Sequence, residues 1–428
     1  MFRLAKSLLH KKQGGISLAK LWAAGVVGSG LGLAYAKSQD SEWPDEPTGV
    51  RRAIIAPDGS LSAVETTMNY QDSAEVKSSL LRNGKVYTNR NTSGTDTSLH
   101  GTKWAATPVR ISNARELKEV PRLEKEGFVL LKHNVDDKLG KNFNFYNDND
   151  ILNRYYPSIA ETVKQATGAT HVYPFDHNIR SASASKAGKK LEGGNSVQGP
   201  AHLVHTDYTL TSAPTRLRQL SKPPKINDTW RKLTDGKSPL IPPEQVEKVL
   251  AKKGRFAMVN VWRNIKKEPV QRFPLAVMDA RSATADDMVT FEIHYADRVG
   301  ENYFVRNSPK SPNPAHKWYY FPQMQRDEAL AFKQWDSEGV LLTDAKDEKT
   351  ARAFAPGVST PPPQFCAHSA FVDPTTKENA PDRESIEVRC MLLYLDEEKN
   401  RKDRLGWNND QPAAAGGGWF KSLLNKLK

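Results

Sequence analysis

Hydrophobic spacing divides the central part of the chain into one helical stretch and a long succession of strands. Over 151–169 (ILNRYYPSIAETVKQATGA) the apolar residues recur at helical spacing. From residue 170 the period changes. Short runs rich in Val, Ile, Phe, Tyr and Trp follow one another: THVYPFDHNIR (170–180), AHLVHTDYT (201–209), RFAMVNVWRNI (255–265), PLAVMDARS (274–282), MVTFEIHYA (288–296), ENYFVRN (301–307), KWYYFPQM (317–324) and ESIEVRCMLLYL (384–395). Pro, Gly or charged turns separate them, which is the signature of β-strands. Eight such runs in one half of the chain point to an antiparallel barrel or jelly roll rather than to alternating βαβ units, with the helix packed on an outer face. The fold class is therefore mainly β with flanking helices. Two stretches read as loops, SASASKAGKKLEGGNSVQGP (181–200) and APGVSTPPPQ (355–364).

The ends are patterned differently. Residues 1–39 hold six basic residues and no acid, and an apolar run from Leu21 to Ala36 follows the basic start. This makes residues 1–50 a targeting segment with a linker, and its acid-free amphipathic start favours a mitochondrial address. The alternative is the secretory pathway or an endomembrane, with 21–36 as the anchor, although that run is shorter than the ~20 residues of a membrane span. Residues 401–428 end in AAAGGGWFKSLLNKLK, a Gly linker and a basic amphipathic helix. That helix suits peripheral contact with an anionic membrane, or docking on its own domain. Between the ends, 51–400 forms one catalytic-sized domain.

Composition narrows the function classes. With 38% apolar and 26% charged residues the chain is globular, and two cysteines exclude a disulfide scaffold, so Cys366 and Cys390 are expected to be reduced. About half of the net charge of +13 lies in the N-terminal segment. The remainder is scattered among acids with no basic stripe, which argues against a nucleic-acid partner. Oligomeric state is not legible.

Candidate chemistry centres on His205-Thr206-Asp207 in AHLVHTDYT. In a chain of this composition a His-x-acid pair is expected by chance, so context has to decide. On a strand, residues i and i+2 face the same way, and the pair would supply two ligands of a metal that keeps positions open for oxygen chemistry. A third ligand must come from elsewhere. His171, His177, His294 and His316 are candidates, but His368 is followed by Arg383-x-Ser385, and an arginine beside a hydroxyl is what a dicarboxylate co-substrate requires. His202 falls on the other strand face. Trp262, Trp318 and Tyr320 read as core, and Cys366 as an inert buried thiol. Arg263, in FAMVNVWRNI, either faces a substrate or forms a buried ion pair.

Three further runs carry a family resemblance: NVWRNIKKEPVQRFPLAVMDARSATADDMV (260–289), WYYFPQM…EALAFK…DS (318–337) and HSAFVDP…RESIEVR (368–389). With GATHVYPFDHNIR before the His-x-Asp, they make residues 125–395 similar to the largely fungal hydroxylase/desaturase family of AsaB-like enzymes, gibberellin desaturase and CmcJ. The resemblance implies a double-stranded β-helix and a non-haem Fe(II), 2-oxoglutarate-dependent oxygenase. It implies iron at His205, Asp207 and His368, with 2-oxoglutarate held by Arg383 and Ser385. The substrate would be a small organic molecule of secondary-metabolite type, hydroxylated or desaturated. The chain departs from the family at Asn264, where Pro commonly follows the arginine. The competing reading is a non-catalytic or cupin-like β-domain tethered at a membrane, which would have no need of Arg383.

Overall fold

The computed structural model describes residues 40–91, 96–192, 196–251, 253–307, 316–341 and 362–395. Residues 1–39, expected to be a targeting segment, the C-terminal tail and residues 355–361 of the second loop lie outside the described residues. In chain order the strands begin with β1 (Asp40–Ser41), β2 (Arg52–Ile55), β3 (Leu61–Gln71), β4 (Tyr87–Asn89), β5 (Leu99–His100), β6 (Trp104–Asn113), β7 (Phe128–Lys132) and β8 (His171–Arg180). They continue with β9 (His205–Thr206), β10 (Arg255–Asn264), β11 (Leu275–Met278), β12 (Met288–His294), β13 (Val299–Val305), β14 (Trp318–Tyr320), β15 (Glu328–Asp336), β16 (His368–Ala370) and β17 (Ser385–Tyr394).

Two sheets face each other. The larger runs β1-β5-β4-β12-β13-β9-β16-β11-β14-β6-β3-β2, and the smaller runs β7-β15-β10-β17-β8. This is the double-stranded β-helix core expected from the sequence. The main core lies between the sheets, where Val64, Met68, Tyr303 and Trp318 of the larger meet Met258, Met391 and Leu393 of the smaller. On the outer face of the smaller sheet, Val259, Val261, Ile386 and Val388 pack against Ile159 and Val163 of the helix Tyr156–Thr167. Each such buried aliphatic contributes about 1.5–3 kcal/mol. The predicted helix over 151–169 is present in two parts, because Ile151–Tyr155 is wound as a π-turn before the α-helix begins. The first loop contains a short helix, Ala182–Lys186.

Strand β17 shows how alternation builds the site. Ile386, Val388, Cys390 and Leu392 face the outer core, whereas Met391 and Leu393 face the inner one. By the period of two, Arg383, Ser385, Glu387 and Arg389 continue the inner row. That polar half-row, running into an otherwise apolar interior, marks where the chemistry sits.

Candidate metal centre

The two histidines meet because β9 pairs with β16. His205 stands directly opposite His368, and their ring centroids are 4.3 Å apart. The expected strand through Asp207 is shorter than its sequence suggests, ending at Thr206. Asp207 is placed from the facing sheet instead. Its N–H donates to Gln334 Oε1 at 2.7 Å, and its Oδ2 accepts from Asn260 Nδ2 at 2.7 Å and from Arg389 Nε at 2.9 Å. Ligand atoms of His205, Asp207 and His368 all lie within 4.8 Å of one another, a grouping unique among the described residues.

Hydrogen bonding orients the ligands. His205 Nδ1 lies 3.0 Å from the Leu203 carbonyl, which can only accept. Nδ1 therefore carries the proton and Nε2 the free lone pair, 3.6 Å from Asp207 Oδ1. Burial, reinforced for His205 by the neighbouring His368, pushes both imidazoles down to about 4, so both are neutral donors at physiological pH. Burial opposes ionisation of Asp207, but the Arg389 guanidinium and the Asn260 hydrogen bond outweigh it and hold the carboxyl well below its usual range. Two neutral imidazoles and one carboxylate fit a divalent first-row metal with positions left open.

The triad borders a small cavity whose wall includes Arg180, Trp262, Arg383 and Glu387. Arg383 is buried, donates Nη1 to the Phe273 carbonyl and lies over the Trp262 ring at 5.6 Å. Its Nε and the Ser385 Oγ are buried without hydrogen-bond partners. Burial and then Arg180 push the Arg383 guanidinium down to about 9. Donors buried and unpaired in this way fit a carboxylate ligand.

The structure corrects two expectations. Arg263 does not face the cavity: it lies on the outer face of β10, where Nη1 meets His133 Nδ1 at 2.7 Å, Nη2 donates to the His133 carbonyl at 3.0 Å, and the guanidinium sits 5.8 Å from the Tyr155 ring. Trp262, one position earlier and so on the opposite face, is a wall residue rather than plain core. Arg389 is committed to Asp207, Asp176 and Glu387 and is not free for a co-substrate. The other histidines are engaged elsewhere: His177 with Tyr156 and Asp148, His316 with Asp287, His294 with Glu292. His202 stacks edge-on to Phe273. Both cysteines are free and buried. Sequence reasoning missed Asn260, Gln334, Arg180 and Glu387; the alternation in R-E-S-I-E-V-R was the available signal for Glu387.

A family model described as an oxidoreductase/YMDC permease-like domain matches residues 68–393. The chain belongs to that family. Among the described residues of this oxidoreductase-family chain, no helix is long and apolar enough to cross a membrane. An uncharacterized protein in the dcmA 3′ region of Methylophilus leisingeri is 40% identical over 204 residues, covering 48% of this chain and 92% of its own. The hydroxylase/desaturase efuI of Hormonema carpetanum is 27% identical over 353 residues, 78% of this chain and 97% of that one. Among solved structures, the iron and alpha-ketoglutarate-dependent endoperoxidase NvfI superposes with a TM-score of 0.55 at 24% identity, covering 78% of this chain and 98% of that one. The hydroxylase/desaturase resemblance and the fold inferred from it both hold.

Proposed function

We propose that this oxidoreductase is an Fe(II)- and 2-oxoglutarate-dependent oxygenase that hydroxylates or desaturates a small organic substrate. The observation that carries the reading is the convergence, on one cavity, of a neutral-His, neutral-His, carboxylate triad with the unpartnered donor of Arg383. His205, Asp207 and His368 would hold the iron, and Arg383 with Ser385 the distal carboxylate of 2-oxoglutarate. Iron bound there supplies dioxygen activation coupled to oxidative decarboxylation of the co-substrate. The chain's own residues do the rest: the Leu203 carbonyl fixes the His205 tautomer, Asn260 and Arg389 hold Asp207 ionised, and Trp262, Leu275 and Ala370 give the cavity its apolar wall. Burial of the triad keeps bulk water away from the reacting centre.

The test is an anaerobic titration with Fe(II) and then 2-oxoglutarate. A weak visible charge-transfer band that requires both additions and is lost in His205→Ala is the expected result. Folded, iron-loaded protein without a band would sink the reading. The termini carry a separate proposal, that their basic segments hold the enzyme peripherally on an anionic, mitochondrial membrane surface.

A further inference from the structure

Arg180 is a cavity cation to which the proposed reaction assigns no task. The pairing of β8 with β17 sets it directly opposite Ser385, and register partners in an antiparallel pair stand on the same face. Arg383 lies two residues before Ser385, and both arginines line the cavity wall. The two guanidiniums therefore flank one hydroxyl at one end of the space beside the triad.

Glu387 lies close enough to both arginines, and Asp382 to Arg383, to favour their charged forms, but neither arginine is held by a direct carboxylate contact. Arg180 donates Nη1 to the Gly199 carbonyl at 2.8 Å and Arg383 donates to the Phe273 carbonyl, and among the described residues neither forms an ion pair with a carboxylate. Glu387 shares the wall, but its carboxylate is held by Arg389 Nη2 at 3.2 Å. The contrast with Arg389, ringed by three carboxylates, is plain. Two buried like charges that share only the indirect attraction of Glu387 and Asp382 are stabilised when an anion enters between them. Burial and the mutual repulsion both disfavour the charged form of Arg383. A carboxylate has two oxygens and about four lone-pair sites. It can accept from both guanidiniums and from Ser385 Oγ at once, satisfying the buried donors that lack partners.

We propose that Arg180 and Arg383, with Ser385 between them, form a two-guanidinium cradle for the distal carboxylate of the dicarboxylate co-substrate. The inference rests on the co-substrate reading given under the proposed function. It makes Arg180 a binding residue, and it makes the distal carboxylate, rather than the 2-oxo acid end, the part of the co-substrate that Arg180 senses.

The experiment is calorimetric titration of the full chain, loaded with Co(II) as a redox-stable stand-in, with 2-oxoglutarate and with 2-oxobutyrate, which lacks the distal carboxylate. Wild type, Arg180→Gln, Arg180→Lys and Arg383→Gln are compared. Arg180→Gln is expected to weaken 2-oxoglutarate about ten- to a hundredfold and to leave 2-oxobutyrate unchanged. Arg180→Lys is expected to fall between, since it keeps the charge and loses the planar fork. If Arg180→Gln binds 2-oxoglutarate like wild type while Arg383→Gln does not, Arg180 serves another ligand; the inference is overturned and the oxygenase reading stands. If wild type binds no 2-oxoglutarate, the oxygenase reading itself fails and takes the cradle with it. If Arg180→Gln loses Co(II) or its circular dichroism, Arg180→Lys decides, and wild-type affinity in that variant overturns the inference.

Discussion

Asp207 Oδ2 already accepts from Asn260 and Arg389, so Oδ1, facing His205 Nε2, is the oxygen left for a metal. Asn260 is thus a positioning residue, and groups that orient metal ligands typically affect metal affinity by ~10–100-fold. Asn260→Leu should lower Co(II) affinity within that range while the thermal midpoint changes little; unchanged affinity would show that Arg389 alone suffices. The buried imidazoles make a second prediction. His205, His368 and His202 are pushed down to about 4, and His133 to about 3, chiefly by burial. Unfolded histidine titrates near 6.5, so as pH falls from about 6.5 towards 4 the unfolded chain takes up protons that the folded chain does not. Stability of the metal-free protein should therefore fall across that window, by at most ~1.4 kcal/mol per pH unit for each histidine. Urea midpoints at pH 7 and pH 5 measure it, and equal midpoints would contradict the assignment.

At the level of elements, the face of a strand decides what its residues do. Trp262 and Arg263 are neighbours on β10, yet one borders the cavity and the other is sealed behind the sheet against His133 and Tyr155. Arg263→Ala should destabilise the fold by on the order of 3 kcal/mol, through lost charge-assisted hydrogen bonds and packing, while 2-oxoglutarate affinity stays that of wild type. A selective loss of co-substrate binding would return Arg263 to the site. The strands that the residue pattern did not bring out have a shared cause. In β15, Glu328 pairs with Arg115, and Lys333 and Asp336 join Arg255 in buried ion pairs, so charged residues occupy interior positions that the hydrophobic pattern reads as exposed. In β6, Pro108 and polar residues mask a long strand paired along its length with β3.

Across the whole described unit, the site draws on both sheets: β9 and β16 bring the histidines, while β10, β15 and β17 reach over to Asp207. A chain of residues 40–395 contains all of these groups. It is expected to fold, to bind Co(II) as tightly as the full chain, and to lose any sedimentation with anionic vesicles that the full chain shows. Loss of Co(II) binding in the shortened chain would mean that a terminal segment supports the site.

The residues and ordering that suggested a metal were in the sequence: His205 and Asp207 two apart, His368 far downstream, and Arg383 and Ser385 after it. So was the alternation that makes β10 and β17 strands, because a period of two depends on local geometry alone. What the sequence could not carry was which strand lies beside which. The β9–β16 register put His205 opposite His368, and the β8–β17 register put Arg180 opposite Ser385. Long-range pairing also set the direction of Arg263 and Trp262, and it supplied Asn260, Gln334 and Arg389 to hold Asp207 where its own strand had already ended. Those contacts join segments far apart in the chain, and only the packing of two sheets brings them together.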